Sequence, residues 1–142
     1  MLSSTRVSIA CLPRLYLTCA VVAVRRVVCS PLALGVLSGK YSMDALPSGP
    51  RGFLFKQLLP SCAPLLGTLR EIATARGVSM SAVAIAWSMS KGALVIVGMK
   101  TPSQVRDNMQ ALSFSLSTAE IDELERAAVG AKKATQNIFQ TA

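Results

Sequence analysis

Between Gly92 and Gly98 runs an unbroken apolar stretch, Ala93-Leu94-Val95-Ile96-Val97, and just beyond it Thr101-Pro102-Ser103-Gln104 has the make-up of a helix start. Apolar residues that are continuous rather than alternating predict a strand buried on both faces, as parallel strands are when helices cover each side. Thr is a good N-cap, Pro suits the first helical position, and Gln three residues after the cap can close a capping box. A buried strand feeding a capped helix points to a parallel α/β architecture.

The rest of the chain repeats that order. Val27-Val28-Cys29 is a short β-branched run ending at Ser30-Pro31, and residues 35–52 carry Pro47, Ser48, Gly49 and Pro50, which predicts a long loop. A loop of that length is usually functional. From Cys62 onward Leu65, Leu66, Leu69, Ile72 and Ala73 recur at helical spacing up to Arg76-Gly77, where a basic residue and then Gly end the pattern. Ser79 caps a second expected helix through Val83, Ala86, Trp87 and Ser90, closed by Lys91-Gly92. Ser117-Thr118-Ala119-Glu120 opens a last one, with Glu120, Asp122 and Glu123 in its first turn and Lys132 and Lys133 near its end, the polarity a helix dipole favours. The order strand, loop, helix, helix, strand, loop, helix, helix fits a barrel and an open sheet equally.

Length decides part of that question. The chain has 142 residues, whereas a complete eight-stranded α/β barrel takes ~250, so a whole barrel does not fit. Half of the net charge of +8 lies in the acid-free residues 1–26, as Arg6, Arg14, Arg25 and Arg26; the first acid is Asp44. From Val27 onward eleven basic residues face seven acidic ones, and no basic stripe interleaves with aromatics, so nucleic-acid binding is not expected. Cys11, Cys19, Cys29 and Cys62 have neither redox-pair nor zinc-knuckle spacing, and the chain has no His. They read as free thiols, and no metal site is expected.

Residues 1–26 differ in kind. They hold no acid and several hydroxyl residues, with an apolar run over residues 15–24 closed by Arg25-Arg26. As helix that run spans ~15 Å, about half a bilayer core, so it is not a membrane span. An organellar transit peptide, a secretory signal, a buried strand and a non-native start all remain open readings. The expected division is therefore a leader over 1–26 and one domain over 27–142.

Two places can hold an anion. After Val97, Gly98 lets a ligand approach the backbone, Lys100 brings a positive charge, and Thr101 opens a helix whose first N–H groups are unpaired. Gln104, Asp107 and Asn108 follow on one helical face. In the earlier loop Ser30, the backbone of residues 32–35, Gly35, Gly39 and Lys40 can surround a pyrophosphate. Neither stretch is a Rossmann or P-loop fingerprint.

Ser30-Pro-Leu-Ala-x-Gly-x-Leu-x-Gly-Lys-Tyr41 is similar to the segment after strand seven of aldo-keto reductases, and Gly98-x-Lys-x-x-x-Gln-x-x-Asp-Asn108 resembles their segment after strand eight. The tail Gln136-Asn-Ile-Phe-Gln140 and Leu46-Pro-Ser-Gly-Pro-Arg51 look most like the plant and algal chloroplast branch. The resemblance implies the C-terminal portion of a (β/α)8 barrel, about two strands with their helices, and NADP(H) as cofactor. It implies that Ser30, Pro31, Leu32, Ala33 and Lys40 face the nicotinamide ribose and pyrophosphate, and that Arg51 reaches the cofactor from the loop. Gly98, Lys100, Gln104, Asp107 and Asn108 are then implied to hold the adenosine 2′-phosphate and adenine. Asp107 stands where the family more often has Glu, and Met99 adds an apolar side chain beside the phosphate turn. The family's catalytic Asp, Tyr, Lys and His lie upstream of the resembling region, so no catalytic residue is expected here. Association with other subunits through open barrel edges is expected, with a chloroplast location or, alternatively, a cytoplasmic one.

Overall fold

The computed structural model describes the backbone of residues 26–139 and the side chains of residues 27–131. Residues 1–25 of the expected leader and the side chains of Arg26, Lys132 and Lys133 lie outside these, while the backbone of Arg26 belongs to the first strand. Strand β1 (Arg26–Cys29) is followed by a 3₁₀ turn (Ala33–Ser38), helix α1 (Pro50–Arg76), helix α2 (Met80–Ser90), strand β2 (Ala93–Ile96), helix α3 (Pro102–Met109), a short 3₁₀ turn (Gln110–Leu112) and helix α4 (Thr118–Phe139). The expected alternation is present. The two strands pair in parallel, Arg26 with Ala93, Val28 with Val95 and Cys29 with Ile96.

Two expectations need correction. Helix α1 begins at Pro50, not near Cys62, and continues through Pro60 and Pro64. A proline inside a helix removes a hydrogen bond and crowds the preceding turn, at about 3 kcal/mol, and Pro60 stands just before the point where the helical spacing becomes legible. Burial overrides it: Phe55, Leu58, Leu59, Cys62, Leu65, Leu69 and Ile72 all face the core, and a buried side chain of that size contributes about 1.5–3 kcal/mol. Pro50 is preset for the first turn, and Gly52 fits only as glycine, since a Cβ there would lie 2.4 Å from the Pro47 carbonyl oxygen.

The second correction concerns β2. It ends at Ile96 rather than Val97 and is covered on one face alone, with Leu94 49% and Ile96 58% exposed. Val95 packs on Ala82, Ile85 and Ala86 of α2. The described helices leave the other face open.

Helices α1 and α4 pack along each other, burying Phe55, Leu69 and Leu124 completely, with Val36 of the 3₁₀ turn and Val83 of α2 in the same cluster. Helix α1 ends in a Schellman motif: Gly77 lies at φ 65°, its N–H donates to the Thr74 carbonyl at 3.2 Å, and the Val78 N–H donates to the Ala73 carbonyl at 3.0 Å. The Ser117 capping box forms as expected, Glu120 N–H donating to Ser117 Oγ at 3.3 Å and Ser117 N–H to Glu120 Oε2 at 2.7 Å.

That box also ties α4 to the end of α1. Arg76 donates through Nε to Glu120 Oε1 at 2.7 Å and through Nη2 to Oε2 at 2.6 Å, while its guanidinium lies 5.2 Å from the Phe114 ring centre. The Arg76 hydrogen bond, helped by Ser117, lowers the Glu120 carboxyl from 4.5 to about 2. A carboxylate depressed on folding adds stability above its unfolded value and loses it as pH falls. The melting temperature is therefore expected to fall between pH 4.5 and pH 2, and Glu120→Gln should flatten that part of a melting curve series. An unchanged pH profile in the variant would remove Glu120 as its cause.

Candidate cofactor site

Because β1 and β2 run parallel in register, both chains leave the sheet at the same end, Cys29 beside Ile96. The loops that follow, Ser30 onward and Gly98 onward, start as neighbours at the carboxyl ends of the strands. That is the end where ligands bind in open α/β sheets and in barrels.

The first loop is tightly wound. Ser30, Ala33 and Leu34 lie at φ 61°, 48° and 59°, and Gly35 follows at 101°. A non-glycine residue in this region costs about 1–3 kcal/mol and persists where the surroundings enforce it, often at functional sites. Here the Ala33 N–H donates to the Ser30 carbonyl at 2.9 Å and the Gly35 N–H to the Leu32 carbonyl at 2.9 Å. Pro31 is fully buried and so shapes the backbone rather than presenting a side chain. Leu32 and Ala33 are half-buried against the core, while Ser30 and Lys40 are exposed.

Arg51 reaches this loop across the 39–49 connection. Its Nη2 donates to the Leu34 carbonyl at 2.5 Å, and its guanidinium lies 5.7 Å from the centre of the Phe55 ring. Tyr41 meets Phe55 edge-on at 5.1 Å, and Lys40 Nζ lies 5.7 Å over the Tyr41 ring. The structure thus gathers Lys40 and Arg51 beside the wound backbone on an aromatic base, an arrangement that suits a diphosphate.

The second loop is shaped by its cap. Thr101 Oγ1 accepts from the Gln104 N–H at 3.3 Å as expected. The return bond goes one residue further back, from the Lys100 N–H to Gln104 Oε1 at 2.7 Å, so Gln104 fixes the turn and spends its amide oxygen inside the chain. Space beside Gly98 is open, a Cβ there meeting no heavy atom within 4 Å.

An open depression of about 540 Å³ lies against this turn, lined by Met99, Lys100, Thr101, Pro102, Val105 and Arg106. Pro102, Val105 and Arg106 share one face of α3, whereas Gln104, Asp107 and Asn108 share another about half a turn away. Toward that second face the Asp107 carbonyl accepts from Ser79 Oγ at 3.3 Å and Asn108 is half-buried. The structure therefore brings Lys100 together with Arg106, a residue the sequence reading passed over. Its one signal was a basic residue four positions after Pro102, on the lysine's side of the helix.

These features, two loops at the carboxyl end of parallel strands with cations rather than a glycine fingerprint, accompany a clear family match. The aldo/keto reductase family model matches residues 13–129, and the chain belongs to that family. The match begins within the stretch read as a leader. The chain is similar to a chloroplastic pyridoxal reductase of Arabidopsis thaliana, 48% identical over 124 residues that make up 87% of this chain and 34% of that protein. An uncharacterized oxidoreductase of Mycobacterium tuberculosis is 36% identical over 116 residues, 79% of this chain and 36% of that protein. A probable voltage-gated potassium channel subunit beta of Arabidopsis thaliana is 34% identical over 108 residues, 68% and 33% of the two chains. The chain spans about a third of the length of each of these relatives. Family membership implies a barrel, and the two-stranded parallel sheet with its helices is compatible with part of one. Among the described residues no helix is long and apolar enough to cross a membrane.

Proposed function

We propose that this chain is the NADP(H)-holding portion of an aldo/keto reductase that reduces aldehydes or ketones. The observation that carries the reading is the parallel register of β1 and β2, which starts both loops at one end of the sheet. Lys40, Arg51 and the wound backbone of residues 30–35 suit the pyrophosphate, Ser30 the nicotinamide ribose, and Lys100 with the α3 amino end the adenosine 2′-phosphate. Gly98 leaves room for the adenosine, and Gln104 holds the Lys100 turn while Asp107 and Asn108 offer polar groups to the adenine. When bound, the cofactor supplies a hydride for the substrate carbonyl.

The matching proton needs an acid placed at the carbonyl oxygen. The chain has no histidine, and Tyr41 is packed edge-on against Phe55. We therefore assign no catalytic residue and expect no reductase activity from the chain alone. A non-catalytic nucleotide-binding or subunit-association module is the second reading, favoured because no proton donor is placed for that role among the described residues. Similarity to a chloroplastic reductase supports a chloroplast location over a cytoplasmic one.

Calorimetric titration tests the reading. NADPH is expected to saturate a single site and to bind more tightly than NADH, and NADPH absorbance with an aldehyde panel should fall no faster than in a blank. Absence of saturable binding by either nucleotide would overturn the cofactor assignment, and turnover that survives repurification would overturn the assignment of no catalytic residue.

A further inference from the structure

The start of α2 reaches both sides of the cofactor site. Toward α3, the Ser79 N–H donates to Gln110 Oε1 at 3.0 Å and Ser79 Oγ to the Asp107 carbonyl at 3.3 Å, while the same hydroxyl accepts from the Ala82 N–H at 3.1 Å. Met80, the next residue, meets the first loop instead. A Cβ on Gly39 would overlap Met80 Sδ, so the thioether rests on the bare glycine backbone. Gly39 ends the 3₁₀ turn at φ 72° and immediately precedes Lys40. The Lys40 N–H donates to Ser38 Oγ at 3.4 Å, and Ser38 Oγ donates to the Gly35 carbonyl at 2.7 Å. Met80 thus supports the bend from which the Lys40 side chain departs.

We propose that Met80 is a positioning residue for the cofactor: it fixes the Gly39–Lys40 bend and so holds the Lys40 ammonium beside the wound backbone of residues 30–35. Lys40 is exposed on a flexible stem, so its charge is placed by the course of its backbone and by the Tyr41 ring beneath it. A methionine side chain is adaptable, but Met80 is half-buried against the main core. Its backbone is the first helical residue behind Ser79, a cap hydrogen-bonded both to its own helix and toward α3. The proposal rests on the assignment of Lys40 to the pyrophosphate. That group is common to NADPH and NADH, so Met80, unlike Lys100, acts on both nucleotides alike.

Two readouts test it, one of them without nucleotide. In Met80→Ala, trypsin should cut the Lys40–Tyr41 bond about tenfold faster than in the wild type, with cleavage after Arg70 in α1 unchanged, because a local opening frees the bend and not the helix. By calorimetric titration NADPH and NADH should both bind about fivefold more weakly with their ratio unchanged, as when the bend is formed in about a fifth of the molecules. Met80→Leu, which keeps the volume, should restore both readouts. In a Lys40→Ala background, Met80→Ala should cost little further affinity, the non-additivity of two residues acting as one. The proposal is overturned if cleavage after Lys40 is unchanged, if cleavage after Arg70 rises equally, if the two substitutions add, or if NADPH alone is weakened. Unchanged binding in Met80→Ala by a wild type that does bind overturns the role of Met80 and leaves the pyrophosphate assignment standing. A wild type that binds neither nucleotide overturns that assignment and the role of Met80 at the cofactor with it.

Discussion

Phe55→Ala is expected to destabilise the chain by about 3–5 kcal/mol, the usual cost of deleting a core aromatic ring. Phe55 is fully buried at the amino-terminal end of α1 and packs edge-on against Tyr41. It belongs to the cluster that joins α1, α2 and α4 to the 3₁₀ turn. Its removal leaves a cavity where four elements meet, which none of them can fill alone. The effect should reach the loop as well, because Arg51 stacks on this ring while it holds the Leu34 carbonyl. Urea denaturation followed by circular dichroism measures the first effect; limited proteolysis within residues 30–50 measures the second. Phe55→Leu, which keeps most of the volume, should recover most of both. A loss below about 1 kcal/mol for the alanine variant would mean that the ring is not central to the core.

The parts of this fold that were legible in the sequence are those fixed by local chemistry. Ser79 accepts from the Ala82 N–H at 3.1 Å, and Thr101 and Ser117 make the corresponding bonds to Gln104 and Glu120. Each cap needs only residues three apart, so its signature survives in the sequence. The start of α1 does not, because Pro60 and the Pro47-Ser48-Gly49-Pro50 run argue locally for a break and are overruled by burial against distant elements. Strand β2 shows a different limit: apolar composition on both faces says that a cover is wanted, not whether the described elements supply it.

The candidate site divides in the same way. Lys100, Gly98 and the α3 start could be found from their spacing, and Ser30 with Lys40 from the glycine-bearing loop that holds them. The contact of Arg51 with the Leu34 carbonyl spans 17 positions and depends on how α1 leaves the loop. Left-handed backbone at Ser30, Ala33 and Leu34 has no signature in those residue types, which avoid it unless held there. Which side of α3 faces the depression is likewise a matter of packing, since Ser79 draws the Asp107 side toward α2. Hence Arg106, two positions from Gln104, was overlooked.

Lys100→Ala should weaken NADPH binding by about 1–3 kcal/mol, the worth of a charge-assisted hydrogen bond, or about 5- to 150-fold. NADH, which lacks the 2′-phosphate, should change much less, so the variant loses preference more than general affinity. Because the lysine is exposed, raising the salt concentration should narrow the difference between wild type and variant. The two faces of α3 make separate predictions for a second substitution. If the phosphate enters the depression that Lys100 shares with Arg106, Arg106→Ala should also reduce NADPH affinity and leave NADH nearly unaffected. If it lies instead toward Gln104, Asp107 and Asn108, Arg106→Ala should be silent; Gln104→Ala should weaken binding in either case, because the Lys100 turn loses the amide that accepts its N–H. Paired titrations of the three variants with both nucleotides therefore locate the phosphate on one side of the helix. Unchanged NADPH affinity in all three would place the nucleotide elsewhere on the chain.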